Sequence, residues 1–273
     1  MQEEGNSMEH LTLHEGCRVK LDDWDPDDTG KDFDKNSALT ELDTLHQQMA
    51  DLQEVFYASG KYALLIVLQA MDAGGKDGTV SHVMRGLNPA GCAVTPFKVP
   101  SAEELSHDFL WRIHKAVPAR GQIGIFNRSH YEDVLVVRVM QLAPEKIWRA
   151  RFEQINSFEK NLAQNNVIIL KFFLHISHTE QTERLRARLE DPTKNWKITP
   201  SDLEMRTKWS DYQKAYEEVL ECCTTEYAPW TIVPANKKWY RNLVVAAKIV
   251  KTLKSLDLHF PPPAPGLEKI RIE

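Results

Sequence analysis

Apolar residues return along this chain in two alternating rhythms. Leu42, Leu45, Met49, Leu52 and Phe56 recur every three or four positions, which predicts an amphipathic helix over 38–58. The stretch that follows, 62–68, is short and apolar throughout, as in a strand buried on both faces. Further strands are predicted at 93–99, 122–127, 167–176 and 230–233. Helical spacing returns between them. Val80, Val83, Met84 and Leu87 mark a helix closed by Asn88-Pro89-Ala90-Gly91, and Leu105, Phe109, Ile113 and Val117 share the face of one that Pro118 stops. Others are predicted over 129–140, 144–164, 177–190 and 240–256, with a long helix after 200 that has Thr199 as its N-cap and Pro200 in its first turn. Ser101 and Ser177, each three residues before a glutamate, carry the capping-box spacing. Strands alternating with helices predict an α/β protein with a doubly wound parallel sheet.

The ends fall outside this alternation. Residues 1–37, densest in acid at DDWDPDD, read as an irregular arm whose aspartates are a solvated charge run. Residues 258–273, with PPPAP at 261–265, read as a tail, leaving 38–257 as a single domain. A formal net charge of −5 argues against a general nucleic-acid coat, so any polyanion site must be local. The N-terminal MQEEGNSMEH does not resemble a secretory signal, and no apolar run approaches the roughly 20 residues of a membrane span. Cys17, Cys92, Cys222 and Cys223 have no C-x-x-C spacing, so reduced thiols and a cytoplasmic location are expected.

Ligands of open α/β sheets bind beyond the carboxyl ends of the strands, and three such junctions here are polar. After the first strand comes QAMDAGGKDGT, residues 69–79. Ala73, Gly74, Gly75, Lys76, Asp77 and Gly78 form a loop that opens a helix, which aims backbone N–H groups and a lysine at an anion. The P-loop pattern is G-x-x-x-x-G-K-[ST]; here Ala70 stands at the first Gly and Asp77 at the Ser/Thr. Asp72 would repel a bare phosphate, which suggests a divalent cation between them. The alternative is a strand–turn–helix whose glycines only make a tight turn. After the third strand, Asn127-Arg-Ser-His-Tyr-Glu-Asp133 offers Arg128 as a forked phosphate donor, Glu132 or Asp133 as a metal or nucleotide partner, and Asn127 at a Walker-B-like strand end. A charged helix N-terminus with ordinary caps is the other reading. His130, His175 and His178 lack metal-ligand spacing and are expected to pack or cap.

Residues 191–200, with two prolines, Lys194, Lys197 and Trp196, cannot be regular structure and are placed as the lid of a phosphotransferase. Arg184 and Arg188 share the face of the helix before it and add charge, or simply form a basic surface. The lid as a whole is expected at about 184–210.

QAMDAGGKDG, FKVPSAEELSHDFLWRIH, FNRSHYEDVL, DPTKNWK and APWTIVPANKKWYRN together resemble the polyphosphate kinase 2 family over roughly 15–257. The resemblance implies a P-loop kinase-like three-layer sandwich with a helical lid. It also implies Mg²⁺ dependence, and reversible phosphoryl transfer between inorganic polyphosphate and adenine or guanine nucleotides. By it Asp72 and Lys76 hold metal and phosphate, Arg128 contacts the transferring group, and Asp133 is the second metal carboxylate. Asn127, Arg128, Glu132 and Val136 are placed at the nucleotide, and Lys76, Lys98, Arg112, Arg128, Lys194 and Lys197 along the polyanion. Asn127 and Glu132 depart from many members, which have Asp and Asn there, and match the subgroup accepting both nucleoside mono- and diphosphates. The family's dimers or tetramers are likewise expected. The competing readings are an ATP-dependent nucleoside monophosphate kinase of thymidylate-kinase type and a non-catalytic polyphosphate-binding protein.

Overall fold

The computed structural model describes residues 8–267 and 270–272; the first seven residues of the expected N-terminal arm and three residues of the tail lie outside this description. Strands β1 (Ala63–Ala70), β2 (Cys92–Pro96), β3 (Ile123–Asn127), β4 (Val167–His175) and β5 (Trp230–Pro234) form a parallel sheet in the order β2-β3-β1-β4-β5. The helices, in chain order, are α1 (Lys35–Ser59), α2 (Lys76–Val83), α3 (Ala102–Leu105), α4 (Trp111–Ala116) and α5 (Val136–Val139). There follow α6 (Glu145–Gln164), α7 (His178–Glu190), α8 (Pro200–Thr207), α9 (Trp209–Cys222) and α10 (Lys238–Ser255).

β1 is buried at every position, which is why its sequence is apolar without alternation. Its side chains nevertheless divide by the two-residue period of a strand. Ala63, Leu65 and Val67 join one core with Phe152 and Ile155 of α6 and Tyr216 and Val219 of α9. Leu64, Ile66 and Leu68 join the other, with Leu45 and Met49 of α1 and Leu243 and Ile249 of α10. The result is a three-layer sandwich. Register sets the site: β3 pairs with β1 as far as Leu68↔Asn127, and β4 accompanies β1 to Ala70↔Leu174, so β1 projects beyond β3 before its loop begins.

Three predicted helices are interrupted. The one over 101–117 stops at Leu105 and restarts at Trp111, because Asp108 accepts bonds from the Leu110 N–H (3.0 Å) through its side chain and from the Trp111 N–H (3.1 Å) through its carbonyl. Residues 129–140 divide into a 3₁₀ turn, His130–Asp133, and α5, because His130 and Tyr131 are drawn inward to a buried carboxylate. The helix after Pro200 breaks at Lys208 into α8 and α9. α2 also ends earlier than its spacing suggests, at Val83. The described part of the arm is irregular, apart from two 3₁₀ turns, only as far as Asp34, because α1 starts at Lys35 inside the predicted arm. It buries Leu11, Leu13, Val19 and Leu21, with the Leu13 N–H donating to the Trp230 carbonyl at 2.8 Å. Among the described residues no helix is long and apolar enough to cross a membrane.

Lys171 interrupts the apolar run of β4, and its environment explains how. Its ammonium, fully buried, donates to Glu159 of α6 (2.6 Å), the Tyr131 hydroxyl (2.8 Å) and the Cys223 carbonyl (2.6 Å). Tyr131 and His130 reach the same carboxylate at 2.7 and 3.1 Å. Lys171 and His130 hold the Glu159 carboxyl below its usual range although burial alone would raise it. The turn after β3 is tied to this group through His130 and Tyr131.

Candidate active site

The loop after β1 is built for close backbone approach. Ala73 (φ 60°) and Gly75 (φ 101°) are both left-handed, an alternation that turns successive N–H groups toward one concavity at the start of α2. Gly74 packs so tightly on β1 that a Cβ there would stand 2.4 Å from that of Ala70. At Gly75 a Cβ would meet the Arg241 guanidinium at 2.0 Å.

Lys76 is buried at the base of the loop, with Nζ 2.8 Å from the Ala70 carbonyl. Burial lowers its pKa to about 8, helped by repulsion from Arg128 and opposed by Asp72, Glu132 and Asp77. Arg128 lies between two carboxylates, donating to Asp72 (2.8 Å) and Glu132 (3.4 Å). Glu132 first, and then Asp72, raise its pKa against the effect of burial. Arg128 is itself left-handed (φ 65°), and its N–H bonds to Leu68 of β1, so the turn carries it back over the loop. Asn127 donates to Asp77 at 2.6 Å, joining the end of β3 to the first turn of α2. Gln69 donates to Glu132 at 3.2 Å. One pocket is lined by Met71, Asp72, Arg128, Glu132, Leu135, Gln181, Met205, Tyr212 and Tyr216. Burial first, with the Glu132 charge next, pushes the Tyr212 and Tyr216 phenols up, so both are neutral donors.

The structure thus brings together Asp72, Lys76, Asp77, Asn127, Arg128 and Glu132 from the predicted set. Others stand apart. Asp133 turns to Arg151 at 3.0 Å, and burial raises its pKa despite that cation. Arg112 is buried and donates to the Lys98 carbonyl at 2.9 Å, while the Lys98 side chain is exposed at the β2 end of the sheet. Leu135 rather than its neighbour Val136 lines the pocket. Lys194 pairs with Asp191 at 2.5 Å, and Lys197 lies 5.0 Å over Trp196, both within the lid segment. His130 and His175 are buried and packed, bonded to Glu159 and to the Trp24 carbonyl.

Arg184 has a different place from the one its helix face suggests. It donates to the Ala73 carbonyl (3.0 Å) and the Ala235 carbonyl (2.6 Å), within the wall of the loop after β1. Arg241 of α10 joins it: buried, it forms no ion pair with a carboxylate among the described residues and bonds only Asn242 Oδ1, and burial with the Arg184 charge lowers its pKa to about 10. Sequence reading missed Arg241 and Gln181. Arg241 carried a signal, an arginine inside a buried helix face, but its partner loop lies far off in the chain.

A parallel sheet, a glycine loop with a buried lysine, and a facing arginine between carboxylates define a P-loop phosphotransferase. Residues 32–261 match the family described as Polyphosphate kinase 2 (PPK2), and the chain belongs to that family. Among its relatives, an "AMP/ADP-polyphosphate phosphotransferase" of Meiothermus ruber is 51% identical over 97% of this chain and 100% of its own length. An "ADP-polyphosphate phosphotransferase" of Rhodopseudomonas palustris is 42% identical over 93% of this chain and 92% of that one. The crystal structure of polyphosphate kinase 2 from Arthrobacter aurescens superposes with a TM-score of 0.91 at 42% identity, covering 96% of this chain and 94% of that one.

Proposed function

We propose that this enzyme transfers the terminal phosphoryl group of inorganic polyphosphate to AMP and ADP, reversibly and with Mg²⁺, and accepts guanine nucleotides as well. The observation that carries the reading is the convergence of Asp72, Arg128 and Glu132 over a loop holding a buried Lys76. In the forward step an oxygen of the nucleotide's terminal phosphate bonds to the donor phosphorus, and the bridging P–O bond breaks to release polyphosphate shorter by one unit. The nucleophile is already an anion, so no base need remove a proton. What the protein supplies is alignment and neutralisation.

Each residue then has a task. The Ala73–Gly78 N–H groups and Lys76 grip donor phosphates, Arg128 neutralises the group in transit, and Tyr212 and Tyr216 exclude water from the pocket. The donor set fits Mg²⁺, which takes one or two carboxylates and completes its shell with phosphate oxygens and water. Asp72 would hold it, with Glu132 the carboxylate nearest by shared contacts and Asp133 the alternative. Bound there, Mg²⁺ would offset phosphate charge. Lys98, Arg112, Lys194 and Lys197 are placed along the outer polyphosphate chain, the 184–210 segment acts as the lid, and assembly is as a homodimer or homotetramer. The division into arm, domain and tail at 37 and 257 belongs to the same reading.

The test follows AMP, ADP and ATP over time with polyphosphate and Mg²⁺. Successive appearance of ADP and ATP is expected. Turnover of AMP with ATP but none with polyphosphate would replace this reading with a nucleoside monophosphate kinase, and saturable polyphosphate binding without turnover would make the protein a binder only.

A further inference from the structure

α8, the first helix after the lid loop, buries none of its residues, and Leu203 on it is 51% exposed. Its attachment is polar. Arg206 donates to Gln181 Oε1 (2.6 Å), to the Thr182 hydroxyl (2.5 Å) and to the His178 carbonyl (3.2 Å), all on α7. Beside it the Met205 sulfur accepts from the Tyr212 hydroxyl at 3.0 Å. Gln181 is 1% exposed, and its other amide atom, Nε2, donates to the Asp72 carbonyl at 2.9 Å.

A glutamine amide has one acceptor end and one donor end, and nothing intrinsic decides which faces which way. Arg206 and the Asp72 carbonyl agree on it here, the one only donating and the other only accepting. A guanidinium only donates, so it draws Oε1 toward α8 and leaves Nε2 for Asp72. The Asp72 carbonyl belongs to the same planar peptide as the Ala73 N–H, and in a trans peptide the two point in opposite directions. Fixing that carbonyl therefore aims the Ala73 N–H into the loop's concavity. The next carbonyl, that of Ala73, is held from the same helix by Arg184 at 3.0 Å. α7 thus clamps two consecutive loop peptides, and only the Gln181 clamp depends on α8.

We propose that Gln181 is a positioning residue that couples docking of α8 to the phosphate grip of the loop, so that the loop's N–H groups are aimed at the donor only beneath a seated lid. This rests on the polyphosphate-transfer reading for its consequence in turnover, but not for its consequence in binding. Phosphoryl transfer to water is thereby disfavoured while the lid is unseated.

Three variants test it, measured for kcat, for KM of ADP, and by calorimetry for tripolyphosphate affinity. Gln181→Glu keeps an acceptor for Arg206 but loses the donor to Asp72. Gln181→Met loses both, and Arg206→Gln, on a helix with no buried residue, releases the glutamine without touching the core. Each is expected to lower kcat and tripolyphosphate affinity about tenfold with KM for ADP within about twofold, and Gln181→Met/Arg206→Gln together should be no worse than either alone. Additive losses, or Gln181→Glu at wild-type affinity and kcat, would overturn the coupling. An inactive wild-type enzyme would sink the polyphosphate reading alone, since the affinity measurement decides the coupling without turnover.

Discussion

The ammonium of Lys76 is bonded to the carbonyl of Ala70, the residue that stands where the P-loop pattern has its first glycine. Without ligand the lysine is thus held in its own loop, buried and with its pKa lowered to about 8. A lysine whose folded pKa lies below its unfolded value, 10.5, is favoured neutral in the fold. Between those values the stability of the ligand-free protein from this group rises with pH, while the cation proposed to grip phosphate is lost. Tripolyphosphate affinity should accordingly fall as pH rises above about 8. Lys76→Arg, which stays charged, should flatten that profile, and calorimetry across pH 7–10 checks both.

Arg128 is the cation shared by Asp72 and Glu132, and it is forked, so a single ammonium cannot replace it. Arg128→Ala should lower kcat by roughly a hundredfold or more, the scale of losing one aimed donor to a developing charge. Arg128→Lys should recover only a minor part. Steady-state kinetics with ADP and polyphosphate measures both, and a Lys variant at wild-type kcat would remove the forked role.

Gly75 combines a left-handed φ of 101° with an Arg241 nitrogen where its Cβ would be. Gly75→Ala should cost about 1–3 kcal/mol in strain and weaken phosphate binding by displacing Arg241. Urea unfolding and tripolyphosphate titration on the same sample check the two effects.

The buried Glu159–Lys171 pair supports the Arg128 turn through His130 and Tyr131. Lys171→Met would strand a buried carboxylate and should destabilise by about 3–5 kcal/mol, whereas replacing both partners with apolar residues should cost much less. Chemical denaturation of the single and double variants separates these outcomes.

The fold was legible wherever local pattern and burial agree. β1 was expected at 62–68 and runs Ala63–Ala70, and α6 starts one residue after its predicted boundary, because a doubly buried strand and a one-sided helix leave distinct periods. It was illegible where a side chain serves a distant partner. The 129–140 segment carries helical spacing, but Glu159 draws two of its residues out of register. At the site, residue type alone pointed to the loop and to Asn127, Arg128 and Glu132, which the structure brings together, but not to the Arg151 that turns Asp133 away. Nor did it point to Arg184, because nothing local distinguishes an arginine that turns to the Ala73 carbonyl from one facing solvent.

Arg184 and Arg241 stand against one wall of the loop after β1, and of the two only Arg184 has a carboxylate partner among the described residues. Arg241 is therefore a buried guanidinium compensated by Asn242 Oδ1 and not by a carboxylate among the described residues. A small oxyanion that binds this loop in the native state and not the unfolded chain would shift the unfolding equilibrium by mass action. Melting temperatures taken in phosphate or sulfate should exceed those in an amine buffer at equal pH and ionic strength, and Arg241→Gln should shrink the difference. On that expectation, thermal stability of this enzyme would be a property of protein and solvent anion together.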